Sequence, residues 1–599
     1  MESFRSLFSS LLIASTVLSS AADSSAIHPR QDNAPLVTWN GKQYRCKCYS
    51  TDSCWPAATA WSTLNTTVGG NLFQVIPPGA ACYTSFKGMN TYNQQACSAA
   101  NTGWTKEDWQ ADQQVTNMWT FWTNNTCNPS AQRQNRECTL GNLPEYAIMA
   151  KTKEHIQAGV KFAVENNLRL LIRNTGHDFM GRSTGYGSLA INTHSFKSVT
   201  FVKNYTGPGN YKGSAVTVGA GIQVRELYRQ AAQQNPKVVV VGGECPTVGL
   251  AGGYIQGGGH GPMASYYGMA ADHALSFDIV SATGEFVTAN AESNPDLFWA
   301  LKGGGPSTFG VILSVTLKTF PEVPTAAVSL DITTTDQTKF WKGVAAFHNR
   351  ANLYVENGMF VYYELFSGRL HIQPFVGPNM NKAKIESVLK PVFDQLKADG
   401  VSYTSSAREF STFFDMYTAM FEDESAGFSG LVGGRLFTKK DIAENGDKIV
   451  NAYKTAAGGS GGLGGGMQGI IGHIVGPGYG MPTADNAVHP AWRNASSFSI
   501  TMTGVEGNAP LSQKATAQDR LTNMIDKALR DASPNGAAYV NEGNLEEPNW
   551  QQAFWGSNYP RLLEIKKKWD PNGVFYARTT PGTEDWESIQ YNTKLCKKV

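Results

Sequence analysis

Two nucleophilic side chains stand in glycine-rich loops 68 positions apart. His177 lies in Arg173-Asn174-Thr175-Gly176-His177-Asp178, after the predicted buried strand Leu168 to Ile172, and glycines recur at Gly181, Gly185 and Gly187. Cys245 lies in Gly242-Gly243-Glu244-Cys245-Pro246-Thr247-Val248-Gly249, after Val238 to Val241. Nine of the twenty residues from Gly242 to Gly261 are glycine, so the backbone there can come close to a ligand. Loops of this kind offer N–H groups to a pyrophosphate. An imidazole and a thiol are both nucleophiles, so the two loops together point to chemistry on a phosphate-bearing ligand.

Cys245 is also singled out by counting. Of nine cysteines, seven fall between Cys46 and Cys138 and another is Cys596. Those eight can pair completely, which leaves Cys245 over. The cluster has no C-x2-C pair and no matching histidine spacing, so disulfides are expected rather than zinc.

The elements that must position the two loops are legible from periodicity. Thr152 to Asn167 places Ile156, Val160, Ala163 and Val164 on one helical face. Strands are predicted at Leu168–Ile172, Leu189–Asn192, Val216–Val218 and Val238–Val241, with a helix over Val224–Gln234. Phe277–Ala282, Glu285–Ala289, Leu297–Leu301 and Gly310–Phe320 continue the alternation. Beyond Pro321-Glu322-Val323-Pro324 the texture changes to antiparallel strands, at Ser329–Thr334, Phe360–Glu364, Leu370–Phe375, Gly469–Val475 and Phe498–Met502. Helices over Asn381–Ala398 and Gln513–Ala532 would cover one face. Gly458 to Gly466, with seven glycines in nine residues, reads as a flexible loop. Tyr559–Trp569 reads as a helix stopped by Asp570-Pro571-Asn572-Gly573.

Met1 to Ala22 has a positive residue, Arg5, then an apolar stretch and small residues, the pattern of a signal peptide. Sequons at Asn65, Asn124, Asn204 and Asn494 are candidate glycosylation sites and agree with a secretory route. The mature chain is expected to be soluble and extracellular, and to keep disulfides. A net charge of +2, with no basic run longer than Lys566-Lys567-Lys568, gives no reason to expect nucleic acid or an anionic membrane as partner. Gly259-His260-Gly261-Pro262-Met263-Ala264 fits G-x-G-x-x-A by letter, but no strand precedes it and Pro262 blocks a plain helix entry. No phosphate-binding G-x-x-x-x-G-K-S/T, no G-x-S-x-G and no H-E-x-x-H occurs.

The motifs as a set resemble a known family. They are Ile172 to Asp178, Cys245 to Gly249, Gly257 to Gly261, Trp299 to Gly305, Phe309 to Val311, and Trp555 to Leu562 with Asp570-Pro571. They are similar to the vanillyl-alcohol-oxidase/p-cresol-methylhydroxylase flavoproteins, within them the berberine-bridge-enzyme-like oxidases, and in particular the secreted fungal isoamyl-alcohol-oxidase-like group. The resemblance implies an α+β fold with a two-part FAD-binding domain and a substrate domain of antiparallel sheet and covering helices. It implies boundaries at 1–22 for the signal peptide, 33–138 for a Cys-rich module, 139–322 for the FAD-binding domain, 323–533 for the substrate domain and 534–599 for a segment returning to the first. FAD would be held bicovalently, through His177 to the 8α-methyl carbon and Cys245 to ring carbon C6. Arg173, Asn174, Thr175, Gly176, Asp178, Gly243, Pro246, Thr247, Val248, Gly249, Gly253, Gly258, Gly259, His260, Val311 and Asn541 would line the cofactor.

Family members usually place a Tyr or Glu base on the substrate-domain sheet or the terminal segment. Here the corresponding strand reads Gly469-Ile470-Ile471-Gly472-His473-Ile474-Val475, which makes His473 a candidate. Tyr539, Tyr363 and Glu364 are rivals. The expected activity is oxidation of an alcohol or similar C–H donor by hydride transfer to flavin, with O2 reduced to hydrogen peroxide. A carbohydrate or secondary-metabolite oxidase, a dehydrogenase and a non-catalytic binding protein are the alternatives, and a monomer is expected.

Overall fold

The computed structural model describes residues 34–458, 468–476, 478, 484–590 and 592–599. The expected leader 1–22 and the glycine run after Gly458 lie outside the described residues.

The chain builds two lobes. The first contains a small sheet in the order Leu72–Gln74, Tyr146–Met149, Leu189–Asn192, Leu170–Arg173. Its last three strands are parallel. Parallel strands need a crossover, and helix Lys153–Glu165 supplies the one from Tyr146–Met149 to Leu170–Arg173, which leaves the place between them for Leu189–Asn192. Ile156, Val160, Ala163 and Val164 are buried on that helix, as their spacing predicts. Beside it lies a five-stranded antiparallel sheet in the order Val199–Gly207, Tyr211–Gly219, Val311–Lys318, Ala274–Val280, Phe286–Asn290.

The second lobe is a seven-stranded antiparallel sheet in the order Thr404–Phe410, Thr325–Thr333, Arg369–Pro378, Phe360–Phe366, Gln468–Ile474, Ala495–Gly504, Gly430–Thr438. Helices Gln337–His348, Lys382–Ala398 and Lys439–Ala457 pack with one face of it. Strand alternation therefore sorts neighbours to opposite sides. Val361, Tyr363 and Leu365 join the core under the helices, while Tyr362, Glu364 and Phe366 face a cavity between the lobes.

Several predicted elements are adjusted. Val238–Val241 contributes only Val238–Val239 to a strand, so the loop carrying Cys245 begins earlier. Leu297–Leu301 is helical, within Pro295–Leu301. Gly430–Thr438 is a strand that alternation did not reveal; three glycines interrupt its pattern, and all nine of its residues are buried.

The cysteines pair as Cys46–Cys596, Cys48–Cys54, Cys82–Cys97 and Cys127–Cys138, and Cys245 is free. The segment before residue 138 is woven into the rest. Leu72–Gln74 extends the parallel sheet, and Lys42–Cys46 pairs with Lys594–Lys598 at the other end of the chain. Helix Tyr559–Trp569 returns to the first lobe, where the Lys566 Nζ donates to the Thr308 carbonyl at 2.7 Å. Among the described residues no helix is long and apolar enough to cross a membrane.

Candidate active site

A cavity of about 580 Å3 opens between the lobes. Asn174 to Asp178 reach it from the turn after Leu170–Arg173. Gly243, Glu244, Cys245, Val248 and Gly249 reach it from the second glycine-rich loop. Close backbone approach explains that loop's glycines. A Cβ on Gly261 would stand 2.1 Å from the Gly242 carbonyl oxygen, so no side chain fits where the two glycine runs cross.

The fold brings the two nucleophiles together. Cys245 Sγ and His177 Nε2 are 3.9 Å apart. His177 Nε2 lies 2.6 Å from Thr247 Oγ1, which donates to Glu107 Oε2 at 2.8 Å. The Cys245 thiol faces the same carboxylate, 3.5 and 3.4 Å from its two oxygens. Burial, with help from the Arg173 guanidinium, pushes His177 down to about 3, so its imidazole is neutral. Burial and the carboxylates of Glu424 and Glu107 push the Cys245 thiol well up. Burial also raises Glu107, to about 7.

A second constellation lines the same cavity. His473 Nε2 is 2.8 Å from Glu244 Oε1, and His260 Nε2 is 3.0 Å from Glu542 Oε2. The two imidazoles are 4.8 Å apart. Burial alone would raise Glu244, but the charge and hydrogen bond of His473 outweigh it and hold the carboxyl low. Burial would lower His260, and Glu542 reverses the direction. Ligand atoms of Glu244, His260 and His473 lie within 4.8 Å of one another, as do those of Glu107, His177 and Cys245. Hydrogen bonds join Cys245 to Glu107 and His177 in the first set and His473 to Glu244 in the second, while His260 bonds instead to Glu542.

Not every expected residue reaches the cavity. Tyr363 is a correction: it faces the helices, hydrogen-bonded to Tyr453 at 3.0 Å and Ser499 at 3.2 Å, so it cannot touch a ligand between the lobes. Its neighbours Tyr362 and Glu364 face the cavity instead. Tyr539 lies behind the wall, where its hydroxyl accepts from Gly259 N at 2.9 Å and Asn541 Nδ2 at 3.0 Å. Arg173 spends its guanidinium on carbonyls of Gln110, Ala111 and Thr116. Pro246, Thr247, Gly258, Gly259 and Val311 also stand behind the lining, whereas Gly253, His260, Asn541 and His473 belong to it. Glu244, Glu107, Arg182 and Gln256 line the cavity and were not among the expected residues. Glu244 is adjacent to Cys245, which was a usable signal. Glu107, in Lys106-Glu107-Asp108-Trp109, carries none.

The lining suits a large polar cofactor. Asn174 Oδ1, Gln256 Oε1, Asn541 Oδ1 and Arg182 Nη1 are buried without a protein partner, and all four side chains line the cavity. Each such atom costs about 1–3 kcal/mol unless a ligand satisfies it.

Two family models match the chain: FAD binding domain over residues 144–290, and Berberine and berberine like over 538–580. The chain is 36% identical over 565 residues to the FAD-linked oxidoreductase ZEB1 of Gibberella zeae, covering 92% of this chain and 95% of that one. The crystal structure of the VAO-type flavoprotein MtVAO615 from Myceliophthora thermophila has a TM-score of 0.84 at 29% identity, covering 92% of this chain and 100% of that one. Glucooligosaccharide oxidase from Acremonium strictum, whose FAD is described as 6-S-cysteinyl and 8α-N1-histidyl, shares the fold at 17% identity and a TM-score of 0.61, covering 81% and 98%. Two lobes with a glycine-lined cavity between them thus define an FAD-dependent oxidoreductase. The chain belongs to the VAO-type, berberine-bridge-enzyme-like family of FAD-linked oxidoreductases.

Proposed function

We propose that the protein is a secreted oxidase that holds FAD covalently through both His177 and Cys245 and oxidises a hydroxylated donor. The observation that carries this reading is the meeting of the two nucleophiles, 3.9 Å apart at the cavity wall, although 68 positions separate them in sequence. Asn174, Gln256, Asn541 and Arg182 would satisfy the cofactor's polar groups with their unpartnered atoms. Bound flavin supplies the hydride acceptor. The chain's own contribution is to orient the donor and take its hydroxyl proton. Glu244 presents an ionised carboxylate to the cavity, and His473 keeps it ionised.

Glu364, Arg369, His371 and Gln373 also line the cavity. So many hydrogen-bonding groups favour a polyfunctional donor, a carbohydrate or an oxygenated secondary metabolite, over a small aliphatic alcohol. Four disulfides support an oxidising compartment. Of the sequons, Asn204 and Asn494 are exposed, whereas Asn65 and Asn124 are half-buried and hydrogen-bonded to Leu72 N and Lys514 Nζ. Acid precipitation of the purified protein tests the cofactor claim: a yellow pellet is expected, and a colourless pellet under a yellow supernatant would refute it. A donor panel read by peroxide release tests the activity, with turnover expected among polyhydroxylated donors. No peroxide with any donor would remove the oxidase reading.

A further inference from the structure

We propose that Glu107 is the shared proton acceptor for covalent attachment, taking the Cys245 thiol proton directly and the His177 Nε2 proton through Thr247. This rests on the bicovalent reading above and goes beyond it, because it assigns the group that takes the protons as the two links form.

A thiol is a poor nucleophile until its proton is removed. Among the described residues no cation is seen to lower the Cys245 thiol electrostatically. His177 is neutral, and the carboxylates of Glu424 and Glu107 oppose thiolate formation. The hydrogen-bond partners of its sulfur are Glu107, at 3.4 and 3.5 Å, and His177, at 3.9 Å. Glu107 is therefore the base within reach. Its carboxyl titrates near neutrality, so it can accept a proton and release it again.

The same carboxylate fixes the histidine tautomer. Thr247 has one hydroxyl hydrogen, and it is donated to Glu107 Oε2 at 2.8 Å. The 2.6 Å contact between Thr247 Oγ1 and His177 Nε2 then requires the histidine to donate. A neutral imidazole carries one ring hydrogen, so Nδ1 holds the lone pair and is the attacking atom.

The chemistry balances with dioxygen as oxidant. For the cysteine link, the S–H proton passes to Glu107, the sulfur pair forms a C–S bond to a ring carbon, and that carbon loses its hydrogen as a proton. For the histidine link, Nδ1 bonds to the methyl carbon, one methyl C–H is lost, and the Nε2 proton leaves through Thr247 to Glu107. In each case two electrons and two protons end on O2 as hydrogen peroxide.

The test compares wild type, Glu107→Gln, Glu107→Asp and Thr247→Val. Each is digested and its flavin-bearing peptides weighed, alongside a time course of linkage with added FAD in air. Non-covalent FAD released on denaturation reports whether the site still binds. Wild type should show one flavin joining both peptides. Glu107→Gln should bind FAD but form the cysteine link about 10²-fold more slowly, with partial recovery in Glu107→Asp. Thr247→Val should slow the histidine link and spare the cysteine link. Both links forming at wild-type rate in Glu107→Gln would overturn the proposal and leave the bicovalent reading intact. Wild type without covalent FAD would overturn both. Should Glu107→Gln fail to hold FAD, Thr247→Val decides, and an unslowed histidine link there overturns the relay.

Discussion

Glu244 and His473 show how a buried pair divides its labour. Burial would protonate an isolated Glu244, and the charge of His473 prevents it. His473→Asn leaves a hydrogen-bond donor but removes the charge, so Glu244 should rise. A base works only when deprotonated. The acid limb of kcat/KM should therefore move to higher pH, with the largest loss at low pH and a smaller one above neutrality. Glu244→Gln removes the base altogether and should lower kcat/KM by about 10²–10⁴-fold at every pH. A pH–rate profile in peroxide release checks both, and an unmoved acid limb in His473→Asn would mean that Glu244 is not the group titrating. At this scale the sequence was half legible. His473 stood out as a polar residue amid Ile470, Ile471 and Ile474, and the odd cysteine was visible by counting. Tyr363 misled because a single position of strand register decides which face a side chain takes.

Among elements, legibility followed the clarity of the local pattern, in buried and exposed elements alike. Helix Tyr559–Trp569, stopped by Asp570-Pro571-Asn572-Gly573, and strand Leu189–Asn192 lie where their patterns place them. Gly430–Thr438 was not read, because Gly430, Gly433 and Gly434 interrupt the kind of alternation that revealed Phe498–Met502 within the equally buried strand Ala495–Gly504. Its glycines have a packing reason: a Cβ on Gly433 would sit 2.1 Å from an Asp526 carboxyl oxygen. The glycines at the cofactor loops follow the same logic. Gly261→Ala would drive a Cβ into the Gly242 carbonyl, a backbone atom that cannot swing aside. Overpacking of this kind costs about 1–3 kcal/mol. The loop carrying Cys245 is the nearest thing that can yield, so thermal melting should come earlier and the cysteine link should be incomplete while the histidine link persists. Peptide mass analysis separates the two, and a fully bicovalent Gly261→Ala would show that the crossing does not set the position of Cys245.

The whole molecule is closed by the bond between its two ends. Cys46 and Cys596 are 550 positions apart, on paired strands Lys42–Cys46 and Lys594–Lys598. The long covalent loop lowers the entropy of the unfolded chain, and loss of a native disulfide typically costs about 2–5 kcal/mol. The N-terminal segment also carries Glu107 to the cavity, which raises the question of whether this bond serves stability or the site. Other contacts already hold that segment in place. Arg173 grips the carbonyls of Gln110, Ala111 and Thr116, and Leu72–Gln74 is a strand of the parallel sheet. Those contacts lie nearer Glu107 in sequence than Cys46 does. The double variant Cys46→Ser with Cys596→Ser should therefore melt at a lower temperature yet carry the same fraction of covalent FAD when purified below its transition. Thermal denaturation and peptide mass analysis on one preparation read both quantities. Loss of attachment without a fall in melting temperature would place the bond in the service of the site instead.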